Sequence, residues 1–243
     1  MTTSNHKIKS DLEKMYDATA SIYGLEYQSP AGYYFMWRKI KTVLYLGGFS
    51  EGDELLEVGC ANGPYTFELA RFGFKMTGLD LSVKNIEEAN KRAKVNDISN
   101  VKFIVGDAEN LLFQDNTFEG IISLSTLRYV PNPQKAIKEI YRVVQKGKNI
   151  VIDFPNKRSP WFNYLKPWLM GKKHIHDHQY TANEIKQMLQ NAGFREIEAK
   201  RILYTPKATP SAMLGFMKGV DFIGERLPFI NEFAAIIVCK GRK

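Results

Sequence analysis

The segment Leu55-Leu56-Glu57-Val58-Gly59-Cys60-Ala61-Asn62-Gly63-Pro64 constrains this chain more than any other. A short apolar run suits a buried strand, and the two glycines permit a tight turn with close backbone approach to a ligand. Pro64 suits the first turn of a helix, where its missing N–H costs nothing. Strand, glycine turn and helix in that order open a βα alternation, and the sequence continues it. Helices are predicted at about 64–72, Val83–Val95 and Pro133–Val144. Strands are predicted at Phe74–Leu79, Val101–Val105, Gly120–Leu124 and Asn149–Phe154. In the helix from Pro133, Ala136, Ile137, Ile140, Val143 and Val144 recur at helical spacing. Strands separated by helices of this length predict a parallel, doubly wound sheet.

The flanks break the alternation. Thr181–Ala192 reads as a helix with Thr181 as N-cap, Glu184 completing a capping box and Gly193 as its stop. Ile197–Tyr204 and Phe233–Lys240 read as two final strands forming an antiparallel edge, with a Met- and Phe-containing helical stretch in Pro206–Pro228 between them. Two helices, about Lys7–Tyr23 and Tyr33–Leu46, precede the first strand and must pack outside the alternation as a cap or an extra layer.

Charge is unevenly placed. Residues 1–154 hold 19 Lys+Arg and 19 Asp+Glu, whereas 155–243 hold 15 against 7, a difference that accounts for the whole net charge of +8. Such asymmetry points to a nucleic-acid, membrane or anionic-substrate contact, or to a solvated lysine-rich surface. Two cysteines, Cys60 and Cys239, without C-x-x-C spacing argue against a disulfide framework or a cysteine metal site. The N-terminal residues lack the apolar run of a secretory leader, and no run reaches the roughly 18–20 residues of a membrane span. A cytoplasmic setting is expected, with an oligomeric state that the sequence leaves open.

Asp80 lies 21 residues after Gly59, at the end of the second strand, where a carboxylate can accept hydrogen bonds from ribose hydroxyls. A dinucleotide fingerprint starting at Gly59 would need glycine at 61 and 64, where Ala61 and Pro64 stand, and no Gly-Lys-Ser/Thr of a P-loop occurs. Ligands of open α/β sheets sit beyond the carboxyl ends of the strands, so Ser123, Leu124 and Ser125 are expected to face the reacting group.

The pattern Glu57-x-Gly59-x-x-x-Gly63 with Asp80 downstream resembles the first two motifs of class I S-adenosylmethionine-dependent methyltransferases. The resemblance implies S-adenosyl-L-methionine as cofactor. It places Gly59 and Gly63 in the loop beneath the methionine moiety and Asp80 at the ribose, with Glu57, Cys60, Ala61 and Leu81 as further cofactor-binding candidates. Gly106-Asp107-Ala108-Glu109 is similar to the segment that family sets beside the adenine. Over about residues 12–156 the chain resembles, more narrowly, the ubiquinone/menaquinone C-methyltransferases. That resemblance is carried by Met15-Tyr16-Asp17-x-x-Ala20-x-x-Tyr23, Trp37-Arg38, Leu127-Arg128-Tyr129-Val130-Pro131-Asn132 and Glu139-x-x-Arg142-Val143-Val144. Tyr129 stands where that family usually has Asn, and its characteristic ending is not found beyond 156. Relatives of this kind methylate quinones, lipids, sugars and natural products, so the acceptor stays open.

What the resemblance implies is an α/β, Rossmann-like, doubly wound and mostly parallel seven-stranded sheet with an antiparallel last strand. Residues 1–50 would form cap helices, and 51–243 the methyltransferase domain with lid elements at about 155–180 and 206–230. The N-terminal helix would lie over the cofactor, with Tyr16 and Tyr23 as contacts to its methionine end, catalytic candidates or packing aromatics. His174-Ile175-His176-Asp177-His178 would, if extended, put three imidazoles on one face. It reads as an ordinary polar loop, a lid or base with His176 as candidate, or a metal site lacking an identifiable further ligand; no metal is expected. The aromatic run Trp161–Met170 and Met213–Ile230 lie inside the basic third, which suggests a hydrophobic lid over the acceptor and a peripheral contact with an anionic membrane through 155–243. A small-molecule or lipid-like acceptor is the leading expectation. An RNA or protein methyltransferase, or a non-catalytic cofactor-binding protein, is the alternative, although no nucleic-acid-binding module is visible and no nucleic-acid partner is expected.

Overall fold

A computed structural model describes residues 3–165 and 177–243. Its centre is a seven-stranded sheet in the order β3-β2-β1-β4-β5-β7-β6. The strands are β1 (Glu54–Val58), β2 (Lys75–Asp80), β3 (Val101–Val105), β4 (Phe118–Ser123), β5 (Val144–Pro155), β6 (Arg195–Ile202) and β7 (Ile236–Arg242). Neighbours from β3 to β5 pair parallel, while β7 runs antiparallel to both β5 and β6. The two final strands therefore do pair antiparallel, but β7 is inserted beside β5 and β6 alone forms the edge.

Period-two alternation divides the sheet's side chains between two cores. In β5, Ile150 and Ile152 join one core and Val151 the other; in β7, Ile237 and Cys239 face opposite to Ile236 and Val238. The first face is covered by α5 (Pro133–Val143), through Ala136, Ile137, Ile140 and Val143, and by α6 (Ala182–Ala192), through Ile185 and Leu189. The second is covered by α2 (Pro30–Gly47) and α3 (Pro64–Ala70). α4 (Val83–Val95) packs Ile86 and Ala89 on Phe103 and Cys60.

Local signals set several boundaries. Thr181 accepts from the Glu184 N–H while Glu184 reaches back to the Thr181 N–H, and Gly193 ends α6 at φ 109°. Ser29 caps α2, Ser82 caps α4 and Asn132 caps α5. The helices before β1 divide their tasks. α2 buries ten residues and is a layer of the sheet, whereas α1 (Thr3–Thr19) contacts α4 and lies across the carboxyl ends of the strands. In the last third, α7 (Ser211–Gly224) packs on α2. Among the described residues no helix is long and apolar enough to cross a membrane.

Candidate active site

Every chain segment leaving β1, β2, β3 and β4 at its carboxyl end contributes to one cavity. Gly59 and Ala61 follow β1, and Asp80 and Leu81 lie at the end of β2. Gly106, Asp107 and Ala108 follow β3, and Ser125, Thr126, Tyr129, Val130 and Pro131 follow β4. α1 and its following turn roof it with Lys9, Leu12, Tyr16 and Tyr23. Lys9, Leu12 and Tyr16 recur at three and four residues and so share one face of α1, while Tyr23 comes from the turn that follows.

The glycine turn owes its shape to internal bonds. The Gly59 and Cys60 N–H groups both donate to the Leu79 carbonyl, at 2.6 and 3.0 Å, and Gly63 N–H donates to Cys60 O at 3.0 Å. The Ala61 N–H donates to Asp80 Oδ2 at 2.8 Å, and the Ser82 N–H donates to Asp80 Oδ1 at 3.0 Å. With those donors committed, the turn offers no set of free N–H groups for a pyrophosphate, and Pro64 supplies none to the start of α3. What it presents to the cavity is the carbon of Gly59 and Ala61 and the Asp80 carboxylate. Gly59 is required twice over: its φ is +81°, and a Cβ there would stand 2.0 Å from Thr126 Cγ2. Burial pushes the Asp80 carboxyl up from the usual range, against the pull of the Ser82 and Ala61 N–H groups.

α1 is held down at three points. Lys9 Nζ lies 2.6 Å from Asp107 Oδ2 and 3.1 Å from Glu109 Oε2. Asp17 Oδ1 accepts from the Ser82 hydroxyl and, at 3.2 Å, from the Lys84 N–H, at the start of α4. Asn62 Nδ2 donates to Ala20 O at 2.7 Å and Tyr23 O at 2.8 Å, tying the glycine turn to the end of the roof.

Three tyrosines meet inside. Tyr16 packs edge-on against Tyr23 and Tyr129, with centroids 6.3 and 6.2 Å apart. Burial raises the hydroxyl pKa of all three above the ordinary phenol value, so they are neutral donors at neutral pH rather than bases. Arg128, beside Tyr129, pairs with Asp177 and lies 5.2 Å over the Tyr129 ring, while the His178 N–H donates to its carbonyl at 3.0 Å. His174 and His176 lie outside the described residues, as does the stretch from Lys166 to Lys173.

Behind the cavity sits a buried ion pair. Lys39 Nζ is 2.5 Å from Asp153 Oδ2 and donates to Ser125 Oγ at 2.7 Å; Asp153 Oδ1 accepts from the Ser125 N–H at 2.6 Å. Lys39 is 0% and Asp153 1% exposed. Together they hold Ser125 at φ +58°, a left-handed conformation that costs a non-glycine residue of order 1–2 kcal/mol. That kink turns Ser125 and Thr126 into the cavity.

The remaining expected positions stand around the cavity instead of lining it. Glu57 is fully buried on β1, accepting from the Thr66 hydroxyl of α3 at 2.5 Å, and burial pushes its carboxyl up to about 7. Cys60 is buried against α4, and Gly63 meets Phe67. Glu109 holds Lys9 and the Asn132 N–H, the latter at 3.0 Å. Ser123 donates to Val58 O at 2.9 Å, and Leu124 belongs to the core on the α2 face. Lys9, Leu12, Thr126, Tyr129, Val130 and Pro131 were not expected. Lys9 and Leu12 carry a readable signal in their helical spacing to Tyr16, and Tyr129 in being a departure from the family pattern.

The cavity therefore presents one acidic group per strand end at β2 and β3, an apolar and phenolic interior, and no phosphate cradle. That donor set suits a nucleoside carrying a short, non-phosphate cation. A methyltransferase-domain family model matches residues 49–193. The chain belongs to this methyltransferase family. A demethylmenaquinone methyltransferase from Geobacillus sp. (strain WCH70) is 30% identical over 174 residues, 62% of this chain and 74% of the relative. A protein of the same description from Staphylococcus aureus (strain JH9) is 28% identical over 219 residues, 80% and 86% of the two chains. Among solved structures, the (4+2)-cyclase SpnF superposes with a TM-score of 0.73 at 19% identity, over 97% of this chain and 96% of the other. Phosphoethanolamine N-methyltransferase 2 of Haemonchus contortus, in complex with S-adenosyl-L-methionine, gives 0.66 at 18% identity, over 93% of this chain and 57% of the other. These two likenesses concern the fold alone.

The methyltransferase is thus a class I, S-adenosylmethionine-dependent enzyme. The Asp80 carboxylate accepts from the Ala61 and Ser82 N–H groups on different oxygens and lines the cavity, a placement that fits a ribose diol. Asp107, with Leu79, Leu81 and Ala108 near it, fits an adenine edge and faces.

Proposed function

We propose that this methyltransferase transfers a methyl group to an apolar, aromatic acceptor of the quinol type. The observation that carries the reading is the interior formed by Tyr16, Tyr23 and Tyr129 with Leu12, Val130 and Pro131, an aromatic and aliphatic lining with neutral hydroxyls. The demethylmenaquinone methyltransferases among its relatives support the same acceptor class.

S-adenosyl-L-methionine, when bound, supplies a methyl group that is already electrophilic. What falls to the protein is alignment, exclusion of water and electrostatic support. In this reading Asp80 accepts from the ribose hydroxyls and Asp107 from the adenine amino group, with Gly59 and Ala61 under the methionine chain. The tyrosine faces lie where they can stabilise a cation through their π-systems. In this reading a quinol ring carbon beside a hydroxyl would form the new bond to the methyl group as the methyl–sulfur bond breaks and leaves a neutral thioether, and the ring proton would then pass to solvent. The roof of α1 would have to lift at Lys9 to admit the cofactor and then close over it. Both cysteines are free and buried, which supports a reducing, cytoplasmic setting.

The test is incubation of the purified protein with methyl-labelled cofactor and a reduced 2-unsubstituted naphthoquinone. Label extracted into organic solvent supports the proposal. Label that enters only water-soluble metabolites, RNA or protein refutes it.

A further inference from the structure

The outer side of α7 is apolar where a solvent-facing helix would be polar. Leu214, Asp221 and Gly224 mark its buried side, which at 3.6 residues per turn directs Phe216, Gly219, Phe222 and Ile223 outward. Phe216, Phe222 and Ile223 are 72%, 59% and 58% exposed, and Phe229 in the following turn reaches 89%. Scattered exposed apolar residues are ordinary; a helix face with its adjoining turn composed of them marks an interaction surface.

The charges around it are one-sided. The carboxylates of the region are already engaged: Asp221 accepts from the Tyr34 and Thr205 hydroxyls, Glu225 pairs with Arg38, and Glu232 pairs with Arg158 and Arg201. Lys218 and Arg226 have no carboxylate partner among the described residues and rest on the rings of Tyr34 and Phe222, 5.1 and 3.6 Å from the centroids. An apolar face rimmed by unanswered cations is complementary to an anionic bilayer surface. A second copy of the chain fits less well, because a twofold contact would gather four such cations with no carboxylate between them.

We propose that the outer face of α7 and the turn through Phe229 dock the protein on an anionic membrane, phenylalanines among the headgroups and Lys218 and Arg226 against lipid phosphates. The docking surface is independent of the acceptor reading, since vesicle binding requires no methyl transfer.

The experiment is co-sedimentation of the full chain with phosphatidylcholine vesicles and with vesicles enriched in phosphatidylglycerol. Binding to the anionic vesicles is expected. The double variant K218Q/R226Q should weaken it about 25-fold, at about fivefold per cation. F222S/F229S should also lose binding while keeping the wild-type melting temperature, because both side chains are already exposed. Equal binding to both vesicle types, binding to neither, or a concentration-dependent dimer that F222S/F229S abolishes would overturn the proposal.

Discussion

Replacing Lys39 by methionine tests whether the buried pair behind the cavity shapes the site. The wild-type ammonium touches Asp153 Oδ2 at 2.5 Å and Ser125 Oγ at 2.7 Å, in a pocket where Lys39 is 0% exposed. Methionine keeps most of the volume and removes the charge, leaving the Asp153 carboxylate buried with the Ser125 N–H as its remaining bond. Removing one partner of such a pair costs about 3–5 kcal/mol. In a chain of this size that lowers the melting temperature by about 6–20 °C. The double variant K39M/D153V removes the stranded charge and should recover most of the loss. It should still fall about 0.5–1.5 kcal/mol short, the net worth of the lost Ser125 N–H hydrogen bond. Urea unfolding followed by circular dichroism measures all three proteins. A loss below about 1 kcal/mol in K39M, or a double variant no more stable than the single one, would refute the argument.

Three further outcomes follow from the same geometry. Glu57 has its carboxyl raised to about 7 from 4.5, so its contribution is fully present below the unfolded value and is lost as pH rises through the folded one. Stability should therefore fall by about 3 kcal/mol between pH 4.5 and 7, and an unfolding series in which Glu57→Gln keeps that slope would contradict this. Asp17→Ala should cost about 1 kcal/mol through the start of α4 and weaken S-adenosylhomocysteine binding by freeing α1; unchanged affinity by calorimetry would show that the roof is not held there. Gly59→Ala should unfold or inactivate the turn, and adding Thr126→Gly should relieve the 2.0 Å contact yet leave a penalty of about 1–2 kcal/mol for the left-handed backbone. Complete rescue in thermal melts would mean that the conformation, unlike the contact, is not demanding.

Much of this was readable locally. α4 begins and ends at Val83 and Val95 as predicted, and the capping box at Thr181 and the stop at Gly193 form as expected. The end of β4 shows why the rest was not. Sequence alternation carries the strand to Leu124, but the turn toward the cavity is made at Ser125, whose conformation is imposed by Asp153 and Lys39, 28 and 86 residues away in sequence. The spacing of Lys9 to Tyr16 places it on the roof's inner face, but its partner Asp107 lies 98 residues away and no local pattern names it. β5 begins at Val144, where a later start at Asn149 was expected, and the Gly147 N–H in that extension donates to Lys243 O at 2.9 Å. The place of β7 between β5 and β6 is also decided by pairing across the chain, which no local pattern encodes.

The central claim is that Asp80 and the turn at Gly59 hold the ribose and methionine parts of S-adenosylmethionine. Isothermal titration calorimetry with S-adenosylhomocysteine, on the wild-type protein and on Asp80→Ala, tests it most directly. One site per chain is expected in the wild type. With two charge-assisted hydrogen bonds removed at about 1.5–3 kcal/mol each, affinity should fall at least about 100-fold in a variant whose circular dichroism is unchanged. An Asp80→Ala protein that binds as tightly as the wild type, or a wild type that does not bind, would contradict the account.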